Sequence, residues 1–240
     1  ANALSKPEYG GEWGRLRGEV LAEASRRCVK IGFECFERPQ QFSMLVNGFA
    51  KVGFDPGEAV LQRLASELAR RGFADFKPQE MANVLNGFAK LEHDPGEAML
   101  QQLASELAVR GFADFKPQEM ANVLNGFAKL GYKPDKKVLE ALALECGERA
   151  FKGFNAQDVA NVVNGFAKLG HHPGEAVLEA LVLECGKRRF EGFKPQEMAN
   201  VVNGLAKLGS SRTRRCCRLL RWRAATRDSG ASTHKQWQTW

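Results

Sequence analysis

The sequence has 240 residues, a net charge of +7, six cysteines and four histidines. It lacks any apolar run near the roughly 20 residues that cross a bilayer, so we expect no membrane partner. Residues 210–240 carry eight basic groups and one acidic group, whereas residues 39–194 carry nineteen basic and twenty acidic groups. The net charge therefore does not indicate nucleic-acid binding by the central part of the chain.

Residues 1–38 are predicted to form an N-terminal partial repeat. Residues 12–30 follow a helical pattern that resembles the second helix of the units further along, so the repeats are expected to begin in the middle of a unit. The sequence opens on Ala1 rather than on methionine, and no targeting peptide is expected within it.

A unit of 39 residues recurs along residues 39–209. Its marker is Asn-Gly-Phe-Ala-Lys, which becomes Asn-Gly-Leu-Ala-Lys in the last copy. The five copies begin at Asn47, Asn86, Asn125, Asn164 and Asn203. The spacing divides the array into repeats at 39–77, 78–116, 117–155 and 156–194, followed by a partial repeat at 195–209.

Each unit is predicted to contain two short helices. In the second unit, Pro78 suits a first helical turn and residues 79–91 follow a helical pattern. Asp94 and Pro95 are expected to supply the N-cap and first turn of a second helix, which Gly111 ends.

Apolar residues on both helices need neighbouring units for burial. Phe112 and Phe115 lie in the connector, where aromatic rings can pack between units. Two short amphipathic helices cannot bury their apolar faces alone. The sequence therefore predicts an all-α fold, a right-handed α-solenoid of stacked helix-turn-helix repeats.

The repeat pattern ends after Gly209. Residues 210–240 show no helical-repeat character and are strongly basic. Two interpretations remain open for this tail: a disordered basic arm that binds phosphates, or an artefact of the gene model.

The first helix of each unit has an apolar and a polar side. In the second unit, Met81, Leu85 and Phe88 belong to the apolar side, and Ala82, Ala89 and Gly87 leave small flanks where neighbouring first helices can approach. The polar side carries glutamine, asparagine, asparagine and lysine at spacings i, i+4, i+7 and i+11. We call these residues the polar ladder: Gln79, Asn83, Asn86, Lys90, Gln118, Asn122, Asn125, Lys129, Gln157, Asn161, Asn164, Lys168, Gln196, Asn200, Asn203 and Lys207.

The polar ladder is a candidate ligand surface. Carboxamides donate and accept hydrogen bonds, so they can pair with base edges, while lysines can contact phosphates. Asparagine is a poor helix former, and its repetition inside these helices argues against an ordinary solvated face. Two alternatives remain: an ordinary solvated face, and a structural ladder of asparagines that hydrogen-bond between repeats.

No residue pattern indicates an enzyme. No nucleophile, base and metal ligands converge in the sequence, and no glycine-rich phosphate loop is present. His93, His171 and His172 are expected in loops, and Cys146 and Cys185 occupy one position of successive repeats, typical of small buried residues. We expect no catalytic residue, metal, cofactor or small-molecule substrate.

The run FKPQEMANVLNGFAKLG at residues 115–131 resembles the first-helix segment of octotricopeptide-type repeats. Such repeats occur in algal and protist organelle proteins, often beside a RAP domain, and in relatives of FAST kinase proteins. The resemblance covers about residues 12–209. It implies an RNA-binding α-solenoid in a mitochondrion or plastid that acts on transcript stability, processing or translation.

Two kinds of partner follow for the concave first-helix surface. The first is single-stranded RNA, which the amide ladder and the resemblance favour. The second is a protein, with the repeats as an interaction scaffold, which the near-neutral charge of the array favours.

Overall fold

The computed structural model describes residues 12–188 and 190–209; the predicted tail at 210–240 lies outside the described residues. The described residues form ten α-helices and no strand. In chain order the helices are α1 (Glu12–Ile31), α2 (Pro39–Val52), α3 (Glu58–Arg71), α4 (Pro78–Lys90), α5 (Glu97–Arg110), α6 (Pro117–Leu130), α7 (Lys136–Glu148), α8 (Ala156–Leu169), α9 (Glu175–Lys187) and α10 (Pro195–Lys207). The even-numbered helices are the predicted first helices, and α1 confirms the helix predicted at residues 12–30.

The first helices begin as their sequence predicts. Proline occupies the first position of α4, where a missing N–H leaves no partner unsatisfied. The backbone N–H of Lys77 donates to Oε2 of Glu80 at 2.9 Å, so the carboxylate satisfies a group just before the helix. In α8, which lacks the proline, the side chain of Asn155 instead accepts from the N–H of Asp158 at 2.8 Å.

The predicted start of the second helices was wrong by about two residues. Gly96, with φ of 88°, precedes α5, which begins at Glu97. Asp94 does not cap the helix, because its Oδ1 accepts from the backbone N–H of Gly96 at 2.9 Å and closes a turn before it. The predicted end is confirmed, since Gly111 follows the last residue of α5.

Two rows of helices run through the stack. The first helices α2, α4, α6, α8 and α10 pack extensively against one another in that order, whereas the second helices α1, α3, α5, α7 and α9 contact one another sparsely. The predicted all-α solenoid is confirmed. The first helices pack more closely, and we call them the inner row of the stack.

Glycines permit the close approach of the first helices. A Cβ added at Gly126 would lie 2.6 Å from Cγ of Leu85 on α4, and one added at Gly165 would lie 2.7 Å from Cγ of Leu124 on α6. Gly87 and Gly204 make equivalent approaches to the preceding first helix. The predicted role of the small flank is confirmed, since any side chain there would push the helices apart.

The interior is continuous from unit to unit. Phe112 and Phe115, in the connector between α5 and α6, are both buried, with ring centroids 5.0 Å apart. Cys146 and Cys185 are also buried, as small apolar residues would be, and burial raises the pKa of the Cys146 thiol to about 12. One core therefore spans the units, and each unit depends on its neighbours for burial.

An arginine at the end of each complete second helix links successive units. Arg149 donates from Nη1 to the carbonyl oxygen of Phe115 at 2.8 Å and from Nη2 to that of Ala113 at 2.7 Å. Its Nε also donates to Oε1 of Glu145 at 2.5 Å. The equivalent arginines, which bind the preceding connector in the same way, are Arg71, Arg110 and Arg188.

The ion pairs of α3 should make the free energy of unfolding decrease as the pH falls into the acid range. Hydrogen bonds from Arg70, and to a smaller extent from Arg71, lower the pKa of Glu67 to about 2, although burial opposes this shift. A carboxylate with a lowered folded-state pKa stabilises fully above its unfolded pKa of about 4.5, and this stabilisation is lost as the pH falls towards 2.

We therefore expect Glu67→Gln to lower the urea midpoint at pH 7, and the difference from the parent protein to shrink between pH 4.5 and pH 2. Unfolding followed by circular dichroism across this range measures the difference. The control is Glu58→Gln, an exposed position at the start of the same helix, which should show a smaller effect. A Glu67→Gln difference that is constant from pH 7 to pH 2 would contradict the proposed ion-pair contribution.

Candidate nucleic-acid interface

The residues of the polar ladder lie at different depths on the surface of the first helices. The glutamines and lysines at its two ends are exposed along all four rows. The asparagines at the second position are partly buried, namely Asn83, Asn122, Asn161 and Asn200. The row is therefore recessed in its middle, because each inner first helix has close neighbours on both sides.

The third position of the polar ladder varies in depth along the stack. Asn86 is buried, with 8% of its surface exposed, which corrects the expectation of an open row at that unit. Asn125 and Asn164 are partly buried, and Asn203 on α10 is exposed. The helical-wheel position alone did not predict these differences, because the depth of each asparagine depends on how closely the adjacent helices pack.

The hydrogen bonds within the protein leave the ladder asparagines able to bind a ligand. Within residues 12–188 and 190–209, no ladder asparagine hydrogen-bonds an asparagine of the next unit, and Gln196 Nε2 donates to Asn200 Oδ1 at 3.3 Å within one helix. The alternative of a structural asparagine ladder between repeats is therefore not observed in the described part of the chain. The carboxamides keep donors and acceptors for a ligand or for water.

The first unit differs at one position. Met44 on α2 stands where later units have the first asparagine, and it is 64% exposed. Gln40 and Lys51 are exposed and Asn47 is partly buried, as in the later units. The amide surface is thus complete in α4, α6, α8 and α10 but interrupted in α2.

Basic residues lie at both ends of the first helices. The ladder lysines occupy the last turns, where a positive charge also complements the helix dipole. A second set, missed in the sequence analysis, stands immediately before the first helical residue and is exposed: Arg38, Lys77, Lys116 and Lys194. Its sequence signal is a basic residue before proline at intervals of 39 or 78.

This second set adds basic side chains to the starts of four first helices. The acidic residues nearby are engaged: Glu119 is 8% exposed and its Oε2 accepts from the backbone N–H of Lys116 at 2.8 Å. Asp158 is 5% exposed and accepts from Asn155 in the same manner. The inner row therefore presents amides between two sets of basic side chains, despite the near-neutral charge of the whole array.

Aromatic residues in the loops after the first helices were also missed. His93 packs against Phe88 with ring centroids 6.0 Å apart, and Tyr132 packs against Phe127 at 5.7 Å. Phe54 and His171 occupy the equivalent positions in their own units. Their sequence signal is an aromatic or imidazole ring seven residues after each of the first four marker asparagines. The identity of this ring varies from unit to unit.

The described residues contain no cluster of three or more histidine, cysteine, aspartate or glutamate side chains arranged to hold a metal ion. None of the described helices is both long and apolar enough to cross a membrane.

Comparison with known families gives two matches. A family model described as the N-terminal domain of the Tbc2 translation factor matches residues 95–218, just over half of the chain. A second model, described as a protein of unknown function, DUF1601, matches residues 67–85. Neither of these models is of the octotricopeptide or RAP type. No curated protein matches the sequence.

Proposed function

Because the chain belongs to the family of the Tbc2 translation factor N-terminal domain, we propose that it binds single-stranded RNA along its first helices. The family description names a translation factor, and we extend that role to this chain as action on organellar transcripts. The resemblance to octotricopeptide-type repeats supports the same proposal. The organelle would be a mitochondrion or a plastid.

The observation that carries the proposal is the row of recessed asparagines with unused hydrogen-bonding groups. Partly buried carboxamides such as Asn122 and Asn161 have no partner asparagine in the next unit. Their carboxamide groups remain in reach of solvent, so a base edge can replace water as the hydrogen-bond partner. Exposed lysines at the end of the same rows can neutralise the phosphates.

The near-identity of the rows favours a uniform tract of RNA. Four successive units carry the same glutamine, asparagines and lysine, so each unit offers the same donors and acceptors. Discrimination between mixed sequences requires different contacts at different units. We therefore expect the ladder to bind uniform tracts or to bind with low sequence selectivity.

The test uses the full chain and a variant in which Lys90, Lys129, Lys168 and Lys207 are replaced by glutamine. We expect fluorescent homopolymer RNA to bind the parent chain with an affinity that falls as salt rises. The variant should bind more weakly. The slope of log affinity against log salt should fall by up to about three, because each lost phosphate contact on a single strand removes about 0.7 from the slope.

The matched control replaces Lys136, Lys137, Lys152 and Lys187, which lie outside the first helices, with glutamine. This variant has the same net charge as the ladder variant, so a general charge effect would weaken both equally. An equal loss in the two variants would contradict the proposed location of the site. The basic residues of 210–240 are present in every protein compared.

A protein partner on the same surface is the second candidate. The near-neutral charge of residues 39–194 favours it, because a protein surface does not require a large positive potential. A parent chain that ignores every RNA at low salt would favour this candidate over RNA.

A further inference from the structure

The loop that joins the two helices of the second unit differs in sequence from the equivalent loops, and we call each such loop a junction. Glu92 follows the end of α4 with φ of 55°, a left-handed conformation that side chains rarely adopt. Gly53, Gly131 and Gly170 occupy the equivalent position in the other units, where the same conformation has little cost. The second unit thus keeps a carboxylate at a position where glycine is the favoured residue.

The next residue at the same junction has an unsatisfied polar atom. Nε2 of His93 is screened from solvent and has no hydrogen-bond partner. Among the described side chains with a fully screened nitrogen or oxygen, it is the one without a partner. Such a group costs free energy in the unbound protein, so a rotation of the His93 ring that brings Nε2 to a hydrogen-bond partner is favoured.

These two residues line an open cleft between neighbouring units. The cleft has a volume of about 390 Å³, which is large enough for a nucleobase. Its lining residues come from the end of α4, the loop after it and the end of α6: Ala89, Glu92, His93, Asp94, Lys129 and Leu130. Lys129 belongs to the polar ladder, so the cleft opens beside the proposed path of the RNA.

We propose that this cleft binds one nucleobase that carries an amino group where uracil carries its O4 carbonyl, namely adenine or cytosine, from an RNA strand on the first helices. The carboxylate of Glu92 can accept from the amino group, and His93 Nε2 gains a hydrogen-bond partner from the base edge once the imidazole rotates toward the cleft. Lys129 contacts the adjacent phosphate. Uracil and guanine present a carbonyl oxygen at that position in place of the amino group, and a carboxylate repels this oxygen.

The proposal rests on the proposed function and adds sequence preference to it. The ladder is uniform and cannot distinguish positions along a strand, whereas the carboxylate at Glu92 occurs at one junction among the described units. The protein should therefore select the base at one position of a strand and bind the other positions without preference for any base. The expected specificity is one preferred adenine or cytosine within a permissive tract.

The experiment measures fluorescence anisotropy of uracil decamers in which a single adenine or cytosine moves along the strand, with the all-uracil decamer as reference. We expect about tenfold tighter binding when the adenine or cytosine reaches the cleft, since one good base contact contributes on the order of 1–3 kcal/mol. The gain should depend on the position of the substituted base.

The variants transplant residues from other units into this junction. Glu92→Gly introduces the glycine of the equivalent positions and relieves the backbone, so it should not impair folding. We expect it to abolish the tenfold gain and to leave binding of the all-uracil decamer within about twofold of the parent. His93→Phe, which copies Phe54 and keeps an aromatic ring on Phe88, should reduce the gain.

The control is His171→Phe, the same change at a junction where Gly170 replaces the carboxylate. It should leave the gain unchanged. All-uracil binding without any gain, or a gain that survives in Glu92→Gly, would overturn the inference while leaving the proposed function intact. Failure of the parent chain to bind any decamer would instead overturn the proposed function. Competition by free AMP as strong as that by the decamer would also overturn the assignment to RNA.

Discussion

Arg149→Met should lower the free energy of unfolding by about 2–4 kcal/mol. The guanidinium donates to the carbonyl oxygens of Phe115, Ala113 and, at 3.4 Å, Phe112, and to the carboxylate of Glu145. Methionine keeps much of the apolar stem but removes every donor. A hydrogen bond from a charged group contributes about 1.5–3 kcal/mol, and the total loss is smaller than the sum because the Arg149 side chain is 24% exposed, so water can replace part of the donors. Urea unfolding followed by circular dichroism measures the loss.

Lys136→Met is the matched control on the same helix. The side chain of Lys136 is 76% exposed and pairs within α7 with Glu140, which is 54% exposed. An ion pair that is exposed on both sides contributes little to stability, so this variant should unfold near the parent midpoint. Equal destabilisation by the two changes would show that the link between units is not what Arg149 contributes.

Gly126→Ala should also destabilise the chain, by about 1–2 kcal/mol. The new Cβ would lie 2.6 Å from Cγ of Leu85, which is fully buried and cannot swing into solvent. Overpacking of this kind costs about 1–3 kcal/mol, from which the better helix propensity of alanine recovers about 0.5–1 kcal/mol. The urea midpoint of the variant measures the net change.

Gly48→Ala tests the same substitution without the neighbour. Gly48 is the equivalent glycine of α2, and a Cβ there would meet no atom within 4 Å. Only the gain in helix propensity remains, so we expect stability to rise by about 0.5–1 kcal/mol. If both changes shift the midpoint in the same direction, helix packing does not explain the glycine at these positions.

The glycine contacts also connect stability to the proposed site. They set the spacing between α4 and α6, on which the spacing between Asn83 and Asn122 depends. A change that separates these helices should therefore weaken RNA binding in addition to stability. We expect Gly126→Ala to weaken homopolymer binding under conditions where the variant remains folded, and Gly48→Ala to leave it unchanged.

Much of the fold could be predicted because its information is local and repeated. The marker at interval 39, Pro78 at the start of a helix and Gly111 at the end of another are each readable within a few residues. The start of α5 was misjudged because the local signal there is ambiguous. Asp94 can cap a helix or close a turn, and the sequence does not decide between the two.

The candidate site was predicted in outline. The ladder was read from helical spacing, which sets the side of the helix on which a residue lies but not its depth. Asn86 is buried while Asn203 is exposed, although both stand at the same position of the repeat. The cleft beside Lys129 was not predicted, because its lining residues come from two units. The distance between two units cannot be derived from the sequence of either one.

The sequence by itself determined the repeat, the pair of helices in each unit and the division of each first helix into apolar and polar sides. These follow from propensity and from the 3.6-residue period of a helix, which act over one unit. Only the tertiary structure decided the clearance at Gly126, the link from Arg149 to a connector 34 residues away and the opening beside His93. Each is a distance between units, and such distances arise only when the packing of the whole stack is fixed.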